Sequence, residues 1–134
     1  MTGHNSGVIR SFWDMVGQGP TRDLTRFLAR DYARHSAHAD INAIDFISLL
    51  IERSAAFPDL ESRLLEFVEQ GDRVAYRWES DGTHAAPYLG IPPTNRNVSM
   101  RGITIARIEG DLIAEEWSSW ETEGVLRALN VFSI

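Results

Sequence analysis

The residues best suited to chemistry stand near the end of a long stretch in which apolar and polar residues alternate. There Trp117 and Trp120 precede Glu121, so a strand would place this carboxylate in aromatic surroundings. A carboxylate that loses hydration gains proton affinity and becomes a candidate acid or base near neutral pH. We therefore predict that Glu121 transfers a proton in a pocket, and we expect Arg101 or Arg107 to be its ion-pair partner.

Alternation along this predicted strand separates two sets of side chains. One face carries Glu115, Trp117, Ser119 and Glu121, and the other carries Glu116, Ser118 and Trp120. Glu121 thus shares a face with Trp117, unless a β-bulge shifts the alternation. In the alternative interpretation, Glu121 is a solvated residue at the strand end that caps the following helix.

Four aromatic residues on the predicted strands are candidates for the wall of a substrate pocket: Tyr76, Trp78, Trp117 and Trp120. Some of them would belong to the core in any domain of this kind. Flat aromatic walls suit a polycyclic substrate, because stacking and burial of apolar area supply affinity while a few polar groups fix orientation. The expected partner is therefore a small hydrophobic or aromatic molecule.

Two histidines, His35 and His38, lie close to Asp40, and imidazole and carboxylate groups are ligands for zinc or iron. No third ligand is close in sequence, so we predict no metal site. His84 follows Gly82-Thr83 and is expected to brace a loop through hydrogen bonds. The chain has no Gly-x-Ser-x-Gly nucleophile elbow, and its Gly17-x-Gly19-Pro20 segment lacks the lysine of a phosphate-binding loop.

Composition excludes several classes of protein. The chain has 134 residues and 43% hydrophobic content, which is enough for one domain with a single core. It carries 19 Asp and Glu against 13 Lys and Arg, without a basic run, so nucleic acid is not an expected partner. It has no cysteine, which excludes disulfides and thiolate chemistry. It shows neither a signal-peptide pattern nor an apolar run of roughly 18 residues, so we expect a cytoplasmic protein that does not enter a membrane.

Three helices are predicted before the first strand. Apolar residues recur at helical spacing over residues 7–16, which predicts the first helix. Asp40 or Asn42 can cap a third helix, which Pro58 closes. Between them, Thr21 can cap a second, shorter helix with an apolar stripe made by Leu24, Phe27 and Leu28.

From Glu61 onward the apolar period changes to two, which predicts strands. Gly71-Asp72 and Gly110-Asp111 predict the turns of two hairpins. The segment 85–96 contains three prolines and is predicted to be a loop beside the pocket, whereas residues 122–129 suit a short closing helix. Helices followed by strands predict an α+β fold, with the helices packed on one face of an antiparallel sheet.

Several short motifs occur in a fixed order along the chain: Phe57-Pro58-Asp59, Gly71-Asp72-Arg73-Val74, Gly82-Thr83-His84, Gly90-Ile91-Pro92-Pro93-Thr94, Gly102-Ile103 and Ile113-x-Glu115-x-Trp117. Together they resemble the SnoaL-like polyketide cyclase family, which belongs to the nuclear-transport-factor-two-like superfamily. The resemblance covers about residues 32–129. It implies that family's fold, in which a strongly bent antiparallel sheet and helices form a cone around an internal hydrophobic pocket.

The resemblance also implies cofactor-free chemistry, an intramolecular aldol reaction that closes the last ring of an aromatic polyketide. The family's acid/base Asp, four residues after the motif Trp, corresponds to Glu121 here, and Glu116 stands where the family usually has His. His35 matches a histidine common in these cyclases, and with Arg107 it would orient a substrate oxygen or stabilise an enolate. The resemblance further implies a homodimer formed through the outer face of the sheet.

Two alternatives stay open for the function. One is a related reaction in the same pocket, such as hydroxylation, isomerisation or hydrolysis, since relatives of the cyclases are assigned as hydroxylases. The other is a non-catalytic binding or dimerisation module, because one fold serves many functions. We expect a single domain over residues 1–134 that acts as an enzyme on a polyketide-like substrate.

Overall fold

The computed structural model describes residues 3–37 and 39–121. In this part of the chain, helices and strands alternate at first, and strands alone follow. The elements are α1 (His4–Gly17), a 3₁₀ helix (Arg22–Phe27), β1 (Leu28–His35), β2 (Asp40–Asn42), α2 (Ala43–Ala56), β3 (Glu61–Gln70), β4 (Arg73–Thr83), β5 (Asn97–Glu109) and β6 (Leu112–Trp120). The closing helix predicted at 122–129 lies outside the described residues.

The six strands form one sheet in the order β2-β1-β6-β5-β4-β3. Neighbouring strands are antiparallel except β1 and β6, which run parallel. The predicted α+β class is confirmed, but the prediction of a purely antiparallel sheet is wrong because the sheet is mixed. A parallel neighbour needs a long connection instead of a tight turn, and here β1 and β6 are joined by most of the chain.

The prediction that three helices precede all the strands is wrong in its order. Leu24 is buried in the 3₁₀ helix, whereas Leu28 already begins β1. A short apolar spacing of this kind fits one helical turn and the entry into a strand equally well, so periodicity does not separate the two. The helices α1 and α2 are confirmed, and the Asn42 side chain caps α2 by accepting a hydrogen bond from the amide of Asp45 at 2.9 Å.

Both predicted hairpins are confirmed. Residues 71 and 72 join β3 to β4, and residues 110 and 111 join β5 to β6. Gly71 has a φ of 59° and Gly110 has a φ of 61°, a backbone conformation that glycine adopts without the steric cost of a side chain. The proline-bearing segment 85–96 is a loop, with one isolated bridge between Tyr88 and Ile91.

The helices cover one face of the sheet, called here the inner face. Phe12 of α1 and Ile47 of α2 are fully buried in a cluster that includes Val74 and Ala106 of the sheet. The opposite, outer face carries exposed apolar side chains such as Ile103. The space between the helices and the inner face is therefore where an internal site can form. Among the described residues, no helix is long and apolar enough to cross a membrane.

Candidate functional site

A cavity of about 1320 Å³ opens between the helices and the inner face. Such a volume accommodates a ligand of several fused rings. The described lining is rich in aromatic side chains drawn from both layers: Trp13, Phe46, Phe57, Trp78, Tyr88 and Trp120. The lining also contains polar and charged side chains, among them the guanidinium groups of Arg34 and Arg53.

One wall of the cavity is made by Trp78 and Trp120, which lie on either side of Gly102 in the sheet. A Cβ atom at Gly102 would stand 2.8 Å from both tryptophan side chains and would also collide with the backbone oxygen of Ser119. Only glycine therefore fits between the Trp78 indole and the Trp120 Cβ atom across β5. The indole N–H of Trp78 donates to Thr104 at 3.1 Å, which fixes the orientation of its ring.

A buried ion pair lies directly behind the cavity lining. Glu116 of β6 is 1% exposed, and its Oε1 accepts from Arg34 Nη1 at 2.9 Å and from the Tyr32 hydroxyl at 2.7 Å. Its Oε2 accepts from the Tyr76 hydroxyl at 2.8 Å, and that hydroxyl in turn accepts from the indole N–H of Trp13 at 3.1 Å. Both carboxylate oxygens are thus satisfied, as burial of a charged group requires.

The groups of this network stabilise one another's protonation states. Burial by itself lowers the pKa of Arg34, but the Glu116 carboxylate together with Tyr32 and Tyr76 more than offsets it, so the pKa is raised and the guanidinium stays charged. Burial raises the pKa of Tyr76 and of Tyr32 well above the usual tyrosine range, and Glu116 adds to both shifts. The two hydroxyls therefore remain protonated donors. Arg34 also lies over the Phe46 ring at 4.3 Å, and this contact restrains its guanidinium group at the cavity wall.

Of the predicted substrate-binding residues, Trp78 and Trp120 line the cavity. Tyr76 lies on the same face of the sheet but is 1% exposed and belongs to the core beneath the cavity, where it bonds Glu116. Their substrate-binding roles stay predictions, with the location of the two tryptophans in their favour.

The expectation that Glu121 lies in buried aromatic surroundings is wrong. Its side chain is 59% exposed and pairs with Arg101 at 3.0 Å, one of the two partners predicted for it. Alternation of β6 does put Glu121 on the face of Trp117, as predicted, but that face is the outer one. A period of two separates two faces of a strand without stating which one the helices cover. The catalytic role of Glu121 stays a prediction that its location does not support.

His35, Arg107 and Trp117 also lie on the outer face. The His35 ring contacts Asp40 at 2.9 Å and Glu115 at 2.7 Å, and it lies 5.6 Å from the Trp117 ring. Arg107 pairs with Glu109 and, at 3.4 Å, with Glu115. These residues form one polar cluster on the side of the sheet that the cavity does not reach, so the expectation that they line the pocket is wrong.

Sequence reasoning missed Arg34 and Glu116 as site residues. The available signal was that Glu116 shares a face with Trp120 and Ser118, a set that includes an indole and a hydroxyl suited to a pocket. Arg34 carried no signal of its own, because its segment was not recognised as a strand. Within the described residues, no group of three or more His, Cys, Asp or Glu side chains is arranged to hold a metal ion, and His38 lies outside them.

The motif residues around the cavity build its loops. Asp59 accepts from the amide and the hydroxyl of Thr83 at 2.7 and 2.8 Å, and the Thr83 amide bond is the main cause of its lowered pKa. His84 is fully buried; its Nδ1 accepts from the Thr94 amide at 3.2 Å, and its ring lies 5.6 Å from that of Phe57. The prediction that His84 braces the loop through hydrogen bonds agrees with these contacts.

Comparison with known proteins identifies a family and several solved structures of similar fold. The model of the SnoaL-like polyketide cyclase family matches residues 7–129. Among curated proteins, none matches this chain. Among solved structures, AclR from Streptomyces galilaeus, "a putative hydroxylase", is 20% identical over 97% of this chain and 83% of its own, with a TM-score of 0.86.

Two further structures are similar over nearly their whole lengths. TsrD from Streptomyces laurentii is 22% identical over 94% of this chain and 97% of its own, with a TM-score of 0.78. A SnoaL-like polyketide cyclase from Agrobacterium tumefaciens is 20% identical over 96% of this chain and 99% of its own, with a TM-score of 0.74. At these identities the structures show a shared fold, whereas the family model covers most of the sequence. The chain therefore belongs to the SnoaL-like polyketide cyclase family.

Proposed function

We propose that this protein is a cofactor-independent enzyme that closes a ring on an aromatic or polycyclic polyketide-like substrate bound between the helices and the inner face. The observation that carries the proposal is a large aromatic cavity with a restrained, charged guanidinium, that of Arg34, at its wall. Membership of the polyketide cyclase family supplies the substrate class.

An aldol ring closure needs three events. A base removes a proton from the carbon next to a carbonyl, the resulting enolate attacks a second carbonyl within the same molecule, and the new alkoxide takes up a proton. The negative charge moves from one oxygen to another, so a fixed cation beside those oxygens lowers the barrier. We assign this role to Arg34, with Glu116 as the residue that positions it.

The proton-transfer role rests on family resemblance and is proposed for Glu121. His35, which matches a histidine common in the family, and Arg107 are the further residues predicted to act on a substrate oxygen. All three stand outside the described lining of the cavity, so Arg34 is the residue whose role the geometry supports best.

Hydroxylation is the second candidate, because the similar structure AclR carries the name of a hydroxylase. Hydroxylation and ring closure differ in one measurable respect. Hydroxylation inserts an oxygen atom and consumes dioxygen, whereas an aldol reaction changes neither the oxygen content nor the oxidation state. A purely binding function would give complex formation without any product.

The test uses a tricyclic anthraquinone that carries a β-keto ester side chain and, on the adjacent ring carbon, a ketone that the enolate of this side chain attacks to close a fourth ring. The wild-type protein should form the cyclised product at equal rates in air and under nitrogen, as followed by liquid chromatography and mass spectrometry. Arg34→Met should lower the rate by roughly 100-fold, the order expected for loss of an oxyanion-stabilising group. Arg77→Gln, which removes an exposed outer-face arginine, should leave the rate unchanged.

Three results would count against the proposal. A product heavier by one oxygen that forms only in air would replace ring closure with hydroxylation. Binding without turnover would replace the enzyme with a binding module. Equal rates for wild type and Arg34→Met would remove Arg34 from the mechanism, provided that circular dichroism shows the variant folded.

A further inference from the structure

We infer that the cavity contains a carboxylate-binding subsite centred on Arg53, so that the substrate is an aromatic acid in its ionised form. The inference rests on the proposed function for the location of the substrate and adds the chemical class of one end of it. It starts from an arginine that lines the cavity and has no carboxylate partner in the described part of the chain.

Arg53 belongs to the last turn of α2 and reaches into the cavity. Its Nε atom is buried and has no hydrogen-bond partner among the described residues. Its guanidinium lies 5.8 Å from the centre of the Trp13 ring, a contact that holds the cation but does not neutralise it. A buried N–H group without an acceptor is costly and is expected to find a partner.

The other arginines of the lining differ from Arg53 in this respect. Arg34 is neutralised by Glu116 at 2.9 Å, and Arg63 is held by Glu79 at 2.9 Å and by Asp81 at 2.8 Å. Arg10 is exposed to water and lies over the Phe67 ring at 4.1 Å. Within residues 3–37 and 39–121, Arg53 is thus the lining arginine that combines burial with the lack of a carboxylate.

The electrostatic surroundings of Arg53 favour an incoming anion. Burial lowers the pKa of Arg53, and the positive charge of Arg34 lowers it further, while Tyr88 acts in the opposite direction. An anion bound here would offset the cost of burying the Arg53 charge and would reduce the repulsion between the two guanidinium groups. The Tyr88 side chain lines the same part of the cavity, and burial raises its pKa, so its hydroxyl is a protonated donor at neutral pH.

A carboxylate fits this place better than a doubly charged group. Because Glu116 already balances Arg34, the buried pair of arginines leaves one positive charge to be matched. A guanidinium offers two parallel N–H groups to the two oxygens of a carboxylate, which is the geometry that arginine binds best. The cavity lining also includes apolar side chains such as Leu50, Phe57 and Met100, which would cover the ring system of the same ligand.

The test compares two probes, anthraquinone-2-carboxylate and its methyl ester, by isothermal titration calorimetry at neutral pH. The wild-type protein should bind the acid at least about tenfold more tightly than the ester, the order expected for a buried charge-assisted pair. Arg53→Gln should reduce the affinity for the acid to that for the ester and leave the ester affinity unchanged. Arg77→Gln removes the same charge from the outer face and should alter neither affinity.

The outcomes separate this inference from the proposed function. If acid and ester bind equally to the wild type, the carboxylate subsite is refuted while an aromatic pocket stands. If neither probe binds, the aromatic pocket and the subsite both fall. If Arg53→Gln does not fold, Arg53→Lys keeps the charge without the paired N–H groups and should bind the acid more weakly than wild type does. An acid affinity in Arg53→Lys equal to that of the wild type would overturn the inference.

Discussion

Arg34 and Glu116 meet through a 2.9 Å contact between Nη1 and Oε1 directly behind the cavity lining. The two residues come from β1 and β6, the parallel pair of strands, and their strand positions are direct neighbours in the register. The pair therefore exists only when these two strands are side by side. It ties the charge presented to the cavity to the integrity of the sheet.

Replacement of Glu116 by Gln should lower the free energy of unfolding by about 3 kcal/mol or more, because Arg34 then remains charged and buried without a counter-ion. Urea denaturation measures the change. The exposed pair of Glu121 with Arg101 supplies the control, since Glu121→Gln should cost less than about 1 kcal/mol.

The double variant Arg34→Met with Glu116→Gln should be more stable than Glu116→Gln alone, because neither member of the pair is then left as an unpaired charge. If the loss of stability in the double variant equalled the sum of the losses in Arg34→Met and Glu116→Gln, the two charges would not depend on each other.

Gly102→Ala should destabilise the protein by about 1 to 3 kcal/mol, since the added methyl group would stand 2.8 Å from the side chains of Trp78 and Trp120. The near-ultraviolet circular dichroism of the tryptophans should change at the same time. Gly17→Ala is the matched control: outside its own helix, no atom of the described residues lies within 4 Å of its Cβ position, so stability should hold or rise. Equal stability of both variants would contradict the close contact of Gly102 with the two tryptophan side chains.

The outer-face pairs of His35 should make stability depend on pH. The hydrogen bond with Asp40 and then that with Glu115 raise the pKa of His35 above 6.5, so protonated His35 is favoured in the folded state. This contribution is fully present below about pH 6.5 and is lost as the pH rises through the folded-state pKa. On the acid side, His35 lowers the pKa of Glu115 from 4.5, so that carboxylate's contribution is lost as the pH falls through its own folded-state pKa.

Thermal unfolding of wild type and His35→Gln between about pH 5 and pH 9 measures the effect. The difference in Tm should be largest near pH 5.5 and should shrink toward pH 9. A difference in Tm that does not vary with pH would show that His35 stabilises the protein by packing against Trp117 and not by charge.

Glu121→Gln tests the residue that family resemblance proposes as the base. If the carboxylate transfers the proton, turnover of the anthraquinone β-keto ester should fall by about 100-fold or more while binding is unchanged. Arg101→Gln frees the same carboxylate from its ion pair and should retain turnover. Full turnover in Glu121→Gln would place the base elsewhere.

The sequence predicts local features such as turns and helix caps well, but it does not predict which face of the sheet the helices cover. Gly71 and Gly110 mark both hairpins, and Asn42 caps α2, because a turn or cap depends on residues that are adjacent in the chain. Glu121 and Glu116 show the limit of such reasoning. Both carboxylates stand next to a tryptophan, Glu116 in β6 and Glu121 directly after it, and which of them is buried depends on where α1 and α2 pack.

The second limit is β1. Its residues pair with β6, about 80 positions later, and the local sequence pattern does not indicate a partner strand at that distance. Without β1, Arg34 could not be assigned to the inner face, and the ion pair that balances Glu116 stayed hidden. Local rules thus find the elements, whereas the site depends on contacts between distant elements.

The placement of β6 between β1 and β5 has a consequence for how the chain is made. A ribosome releases β3, β4 and β5 before β6, and these three strands can pair with one another as they emerge. The strand β1 emerges earlier still and can pair with β2, but its other edge must wait for almost all of the described chain before β6 exists. Closing so long a loop is slow, and a strand that waits with a bare edge is prone to pair with another chain. Synthesis that stalls before residue 112 should therefore yield aggregates that form through β1. The same strand presents Arg34 to the cavity once β6 has paired with it.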